Sequence, residues 1–289
     1  MQKLESKPVV EKIREQVLQK SDAFQKKYHR KPHLAVILVG DDPASHVYVR
    51  NKHVACEKVG FQSTNHQMPA ITQEQELISH IQKLNQDSAV DAILIQLPLP
   101  SHINKERVLA HLDPHKDPDC LTEANLGKFF SGNSVVKPCT PWGVMRILEH
   151  YNISVTGKDV VVIGRSLIVG KPMACLLSDA NATVTLCHSK TKNLAEKTNQ
   201  ADLVVVAAGK PRFFGKEYFN AKSVVIDVGI HGSGSGQGLC GDVKYDEVYP
   251  QVLAITPVPG GVGPMTISTL LENTMALAEA RAQKLENKK

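Results

Sequence analysis

The stretch Asp159 to Pro172, DVVVIGRSLIVGKP, decides the fold. Val160, Val161, Val162 and Ile163 form an unbroken β-branched run, as expected of a parallel strand covered on both faces. Gly164 lets the chain turn, and Gly170 permits close approach of a following helix. Backbone N–H groups at the start of that helix, through Met173 to Leu177, are expected to point at an anion, because the helix dipole favours negative charge there. The spacing is G-x-S-x-x-x-G rather than G-x-G-x-x-G, so on this segment alone a plain βα turn of any doubly wound sheet is the competing explanation.

The next strand, Thr183 to Cys187, narrows the choice. Its end in an NAD site usually carries an acid for the ribose hydroxyls, whereas here His188, Ser189 and Lys190 stand there. A carboxylate repels a 2′-phosphate, while a hydroxyl and a cation accept one, so the pattern favours NADP over NAD. Arg165, in the first turn, adds a guanidinium fork that suits phosphate oxygens. Solvated basic loop residues are the alternative.

Upstream, helices and strands alternate. Val9, Ile13, Val17 and Phe24 give an opening helix one apolar face, and His33 to Val39 reads as a buried strand. Ser45 to Val59 reads as a second helix closed by Gly60, and Thr72 with Gln75 has capping-box spacing for a third. Ala92 to Leu97 is another strand, stopped by Pro98 and Pro100. Between Leu112 and Pro141 the pattern loosens, which marks the crossing between domains. A helix from Pro141 to about His150, capped by Thr140, enters the second domain. Further strands are expected at Leu203 to Ala207, Ser223 to Val228 and Val252 to Ile255, and HGSGSGQG at 231 to 238 reads as a hairpin or surface loop. Thr266 to Lys284 is a long helical pattern that can fold back on the first domain. The whole is an α/β chain of two domains, residues 1–120 and 121–265, with 266–289 returning to the first.

Composition agrees. The 289 residues suit two domains, and a net charge of +5 without a Lys/Arg block fits an anionic small molecule better than nucleic acid. The six cysteines are scattered without metal-ligand spacing, so no metal site is read from them. No apolar run reaches the length of a membrane span or a signal-peptide core, which makes the cytoplasm the expected compartment and a membrane partner unexpected.

Four places stand out for chemistry. Tyr48 and Lys52 are four apart on the second helix and share a face. A lysine in an apolar cleft has its charged form disfavoured and exchanges protons more readily, though exposed Tyr/Lys pairs at this spacing are common. Gln96 sits in DAILIQLPLP, where an amide needs partners that either ligand or neighbouring loops can supply. Asp117 and Asp119 lie in the crossing segment, where a carboxylate can accept paired N–H donors of a heterocycle or simply be solvated. TPVPGGVGPMT at 256 to 266 is stiff at its prolines and approachable at its glycines, which suits the wall of a ligand site.

Taken in order, SHVYVRNK (45–52), DAILIQLPLP (91–100), HKDPD (115–119), PCTPWG (138–143), VVIGRSLIVGKPM (161–173), HSKT (188–191), VVIDVGI (224–230), GDV (241–243) and TPVPGGVGPMT (256–266) resemble the bifunctional methylenetetrahydrofolate dehydrogenase/methenyltetrahydrofolate cyclohydrolase family. These pieces span most of the chain. The resemblance implies an N-terminal folate-binding catalytic domain and a Rossmann-like NADP-binding domain. It implies oxidation of 5,10-methylenetetrahydrofolate by NADP, then hydrolysis of the methenyl cation to 10-formyltetrahydrofolate, both steps of one-carbon metabolism. Carried over by position, Lys52 is the principal catalytic group, Gln96 tunes and positions it, Tyr48 stacks on the aminobenzoyl part of the folate and Asp119 anchors the pterin. Pro259, Gly260, Gly261 and Val262 line the folate cleft. Gly164, Arg165, Ser166, Ser189 and Ile230 hold the cofactor. The family is usually a homodimer joined through the cofactor domain, and its folates often carry polyglutamate tails.

Two positions depart from the family pattern. Cys120 follows Asp119 where glycine is common, which puts the backbone beside the pterin anchor in question, and Trp142 stands where a basic or small polar residue is more familiar. The rivals are a short-chain dehydrogenase, in which the glycine turn precedes the Tyr-x-x-x-Lys motif instead of following it, and a folate- or nucleotide-binding protein without turnover.

Overall fold

A strand apolar at nearly every position can be stable only where both its faces are covered, and His33–Val39 (HLAVILV) is buried at all seven positions. The computed structural model describes residues 1–232 and 238–287. Along the chain the elements are β1 (Gln2–Lys3), α1 (Lys7–Tyr28), β2 (His33–Val39), α2 (Pro43–Lys58), β3 (Gln62–Met68), α3 (Glu74–Gln86), β4 (Ala92–Ile95), α4 (Lys105–Ala110), α5 (Glu123–Phe130) and α6 (Cys139–His150). There follow β5 (Asp159–Ile163), α7 (Gly170–Asp179), β6 (Thr183–Cys187), α8 (Leu194–Gln200), β7 (Leu203–Val206), β8 (Val224–Asp227), β9 (His231–Gly232), β10 (Leu239–Cys240), α9 (Tyr245–Val248), β11 (Ala254–Ile255) and α10 (Val262–Glu286). Two compact units result, Lys12–Lys137 with Leu270–Lys289, and Met1–Glu11 with Pro138–Thr269.

In the first of these units β2 is the middle of a three-stranded parallel sheet, order β3-β2-β4. Its core joins Ile37, Val39, Ile93 and Ile95 to Leu77, Ile81 and Leu84 of α3. Burying each such side chain contributes about 1.5–3 kcal/mol. Asp91, fully buried, ties the strand starts together: it accepts a bidentate pair from Arg30 at 2.6 and 2.8 Å and the His33 N–H at 3.0 Å. The apolar stripe Val9, Ile13, Val17 and Phe24 of α1 is buried as its spacing predicts. The C-terminal helix returns to this unit, where Glu286 near its end pairs with Lys27 of α1 at 3.0 Å.

The second unit is a six-stranded sheet, order β1-β11-β8-β7-β5-β6, parallel throughout. Strand order reverses at β5, which has β6 on one side and β7 on the other; in open α/β sheets ligands bind beyond the carboxyl ends of the strands at such a point. β1 places the extreme N-terminus in this sheet, since Gln2 and Lys3 pair with Ala254 and Ile255. The sequence alone places these residues in the first domain, because two residues of edge pairing carry too little pattern to be read.

Other boundaries move for local reasons. The α3 start uses Gln73 and Glu76, whose carboxylate accepts the Gln73 N–H at 3.0 Å, in place of Thr72 and Gln75. α6 begins at Cys139 behind Pro138, and the Thr140 hydroxyl lies 3.0 Å from that of Thr266 instead of capping. α5 fills part of the segment read as a loose crossing, with Thr122 at its N-cap. Of the Gly/Ser stretch 231–238, the flanks pair as the β9–β10 ladder, and 233–237 lie outside the described residues.

Candidate active site

The first unit supplies a buried lysine. Asp42 caps α2 by accepting the Ser45 N–H at 2.8 Å and its hydroxyl at 2.7 Å, which fixes where the helix begins and which side chains face the sheet. Lys52 is 9% exposed and donates to Gln96 Oε1 at 2.9 Å. Gln96 stands just past β4, its N–H continuing the ladder to Ile37 O at 2.9 Å and its Nε2 donating to Leu97 O at 2.7 Å. The amide that looked out of place in an apolar strand therefore has a carbonyl oxygen dedicated to a lysine. Tyr48, one turn before Lys52, is 38% exposed, so its ring is open to a stacking partner. Cys56, one turn after, is buried and its thiol is pushed up to about 12 by desolvation, which excludes it as a nucleophile.

The two crossing-segment acids separate. Asp117 is committed to its own loop: it accepts Leu121 N at 3.1 Å, Thr122 N at 2.9 Å, the Thr122 hydroxyl at 2.8 Å and Asn125 Nδ2 at 3.0 Å, and burial raises its pKa. It holds the entry to α5 and has no surface for a ligand. Asp119 is half-buried, and the preceding Pro118 carbonyl is held by Asn273 at 2.7 Å. Cys120 has φ 58°, the left-handed region that glycine prefers. The substitution thus leaves the backbone in a glycine-like conformation, and the buried thiol fills the space beside it.

The second unit supplies a glycine cradle. Gly164 has φ 122°, and a Cβ there would lie 2.2 Å from the Ala207 carbonyl oxygen; a Cβ on Gly170 would lie 2.0 Å from the Gly164 oxygen. Neither position admits another residue without moving backbone. The expected anion donors at Met173 to Leu177 are not free, because Met173 N already donates to Val169 O and the rest lie within the helix. Only the first amides of a helix lack internal partners, and here the Ser166 hydroxyl accepts Val169 N at 3.1 Å and Gly170 N at 3.4 Å. Ser166 thus holds the turn leading into α7 from within.

Arg165 and Ser189 each follow the end of one of two neighbouring strands. Ile163 pairs with Cys187, and Gly164 N donates to Cys187 O at 2.9 Å, so each residue lies two positions past a matched pair on neighbouring strands. Both are exposed, and the turn behind Ser189 is self-supporting through His188 N to Thr191 Oγ1 at 2.9 Å. Ile230 is partly exposed, and its Cδ1 would lie 2.7 Å from a Cβ on Gly263. In the glycine-proline loop, which gives way to α10 at Val262 instead of running to 266, Pro259 and Gly260 are exposed, while Gly261 and the helical Val262 are buried; Ser6 clamps the loop through two bonds to Gly260 O, both 2.9 Å.

Residues 4–119 match the model of the tetrahydrofolate dehydrogenase/cyclohydrolase catalytic domain, and residues 138–282 match that of the NAD(P)-binding domain of the same family. The chain belongs to the tetrahydrofolate dehydrogenase/cyclohydrolase family. It is 57% identical over 280 residues to the bifunctional protein FolD of Bdellovibrio bacteriovorus, covering 97% of each chain. The crystal structure of the bifunctional FolD of Campylobacter jejuni has TM-score 0.94 at 45% identity, over 97% of this chain and 99% of that one. The Trypanosoma brucei enzyme, solved with NADP and an inhibitor, has TM-score 0.92 at 36% identity, over 96% and 97%. Within this family the glycine cradle, with an exposed guanidinium and hydroxyl at adjoining strand ends, fits a dinucleotide bearing a 2′-phosphate. Two buried acids at the carboxyl edge of the same sheet, Asp227 and Asp242, have no role in the site residues expected from sequence. The available signal was a carboxylate ending the apolar run VVID and another within GDV.

Proposed function

We propose that this chain performs both family reactions with NADP, and that Lys52 is the group that moves protons in them. Oxidation of 5,10-methylenetetrahydrofolate gives the methenyl cation, and water then opens that cation to 10-formyltetrahydrofolate. The observation that carries the assignment is the Lys52–Gln96 bond: a lysine ammonium removed from water and aimed by an amide that is itself fixed to the backbone just past β4. In ring opening, water adds to the bridging carbon and loses one proton to solvent; the carbinol oxygen then gives up its second as the C=O bond forms and the bond from that carbon to N5 breaks, and N5 gains a proton. A single amine that alternates between its two protonation states serves both transfers. Gln96 holds Nζ at one place during this cycle, Tyr48 offers its ring to the aminobenzoyl group, Asp119 accepts from the pterin N–H groups, and Pro259 to Val262 line the folate.

NADP, when bound, supplies the hydride acceptor. Gly164, Arg165, Ser166, Ser189 and Ile230 are the residues proposed to hold it, Arg165 and Ser189 at the 2′-phosphate. A homodimer is part of the same reading, supported by β6 being the edge of the large sheet with Thr185 and Leu186 exposed. So is a polyglutamate tail on the folate, supported by the net charge of +5. The deciding experiment follows NADPH formation from methylenetetrahydrofolate and, separately, the disappearance of methenyltetrahydrofolate. Both reactions are expected in the wild type, and absence of either removes the corresponding half of the assignment.

A further inference from the structure

Two carboxylates in the nucleotide unit are buried and belong to neither set of residues above. Asp242 is 0% exposed; its Oδ2 accepts Ala208 N at 2.7 Å and Gly209 N at 2.9 Å, and its Oδ1 accepts Lys210 N at 2.8 Å. The His231 Nε2 lies 2.7 Å from the same Oδ1 and, facing a carboxylate, is the donor. Asp227, at the end of β8, in turn holds the backbone of Asp242. It accepts Asp242 N at 3.0 Å, Gly229 N at 2.9 Å and Val243 N at 2.9 Å, while its own N–H donates to Thr256 Oγ1 at 2.8 Å. Burial pushes the Asp227 carboxyl up to about 6 despite those three amides. The chain approaches this pair through glycines: a Cβ on Gly241 would lie 1.9 Å from Asp227 Oδ2, and one on Gly229 2.5 Å from Asp242 N.

An uncompensated buried carboxylate costs several kcal/mol, so the burial of two is permitted only because each is saturated with donors. What these donors have in common is position. They come from the loop after β7 (207–210), from the segment after β8 (228–231) and from residues 242 and 243. All three lie at the carboxyl edge of the sheet. The first of them presses the Ala207 carbonyl against Gly164, and the second carries Ile230. Arg165 and Ser189 mark the β5–β6 side for the 2′-phosphate. A dinucleotide crosses the switch point, so its nicotinamide half extends over the ends of β7 and β8.

We propose that Asp242 is a positioning residue for the nicotinamide half of the cofactor: by gathering three successive amides and the His231 imidazole on one carboxylate, it fixes the loops after β7 and β8 at the spacing that half requires. Asp242 touches neither folate nor cofactor in this scheme and acts through the loops. The proposal rests on the NADP reading, and 2′,5′-ADP, which carries the 2′-phosphate but no nicotinamide, separates the two.

The test is Asp242→Asn, which replaces one acceptor oxygen by an NH₂ facing amide donors. Titration of the apoprotein is expected to show NADP and NAD weakened by the same factor, about tenfold or more, with 2′,5′-ADP within about twofold of wild type. Methenyltetrahydrofolate hydrolysis, which consumes no nucleotide, reports that the variant is folded. Equal weakening of 2′,5′-ADP and NADP, or no change in either, overturns the proposal. His231→Ala removes one donor and leaves the amides in place; it should show the same pattern at smaller size and decides the matter if Asp242→Asn does not fold. Failure of wild-type protein to bind 2′,5′-ADP would instead count against the NADP reading itself.

Discussion

The carboxyl edge of the three-stranded sheet and that of the six-stranded sheet solve opposite problems. At the first, a charged side chain is taken out of water and aimed: Lys52 meets Gln96 at 2.9 Å, with both residues almost fully buried. At the second, the glycine turn packs backbone on backbone, Gly170 against Gly164 and Gly164 against Ala207, and the side chains proposed to meet the ligand, Arg165 and Ser189, stay exposed. Proton transfer needs a group of defined position and protonation, whereas a dinucleotide needs a shaped groove and a few charges. Side-chain changes should therefore dominate at the first edge and backbone changes at the second.

The largest expected effect tests the first half of that contrast. Lys52→Met removes the proton carrier while keeping most of the packing, and should lower the methenyltetrahydrofolate hydrolysis rate by about a thousandfold, within the range for loss of a general acid–base. NADP titration of the same variant should be nearly unchanged. Hydrolysis at wild-type rate would break the comparison at its root. Next comes Gly170→Ala, whose Cβ would meet the Gly164 carbonyl. A destabilisation of at least about 2–3 kcal/mol in urea is expected, with NADP binding lost first. A variant as stable as wild type that still binds NADP would show that the turn can open without penalty.

The first unit also buries a second lysine, which sharpens what is special about Lys52. Lys116 is fully buried and donates to the carbonyls of Leu84 at 2.7 Å and Asp87 at 2.6 Å, closing the end of α3. Burial, with the Arg281 charge adding to it, pushes its pKa from 10.5 down to about 8. The unfolded chain therefore holds this proton more tightly, so the group adds stability as pH rises from about 8 to about 10.5, by at most about 3 kcal/mol. The stability gap between wild type and Lys116→Met should move in the wild type's favour across that window, and a flat gap would assign the lysine an ordinary pKa.

Smaller effects follow at the exposed residues. Arg165→Ala should weaken NADP by about ten- to thirtyfold, as expected for a lost charge-assisted phosphate contact, and NAD by less than about twofold. Equal loss for both nucleotides would move the 2′-phosphate elsewhere. Smallest of all is Cys120→Gly: relief of a left-handed cysteine offsets the loss of a buried thiol, so thermal unfolding should report a change within about 1 kcal/mol.

The element pattern was readable because apolar periodicity is a local property. The strands 33–39 and 183–187 have the expected limits, and the four apolar residues of α1 are all buried. What failed was the choice between near-equivalent local partners. Thr72 or Gln73, Thr140 or Pro138, and the free or capped amides of α7 differ by a residue or two, and the neighbouring chain decides among them.

By itself the sequence determined two α/β units, a glycine turn opening onto a helix, basic rather than acidic groups after the second strand, and the residues able to carry chemistry. Only tertiary structure decided what each polar group is spent on. Gln96 is given to Lys52, Asp117 to its own loop, Ser166 to the turn before α7, and Asp227 with Asp242 to three loops. Hydrophobic burial follows residue type along the chain. Hydrogen-bond partners in these cases come from positions up to 44 residues apart, and a buried donor or acceptor must take whichever partner the fold brings within reach.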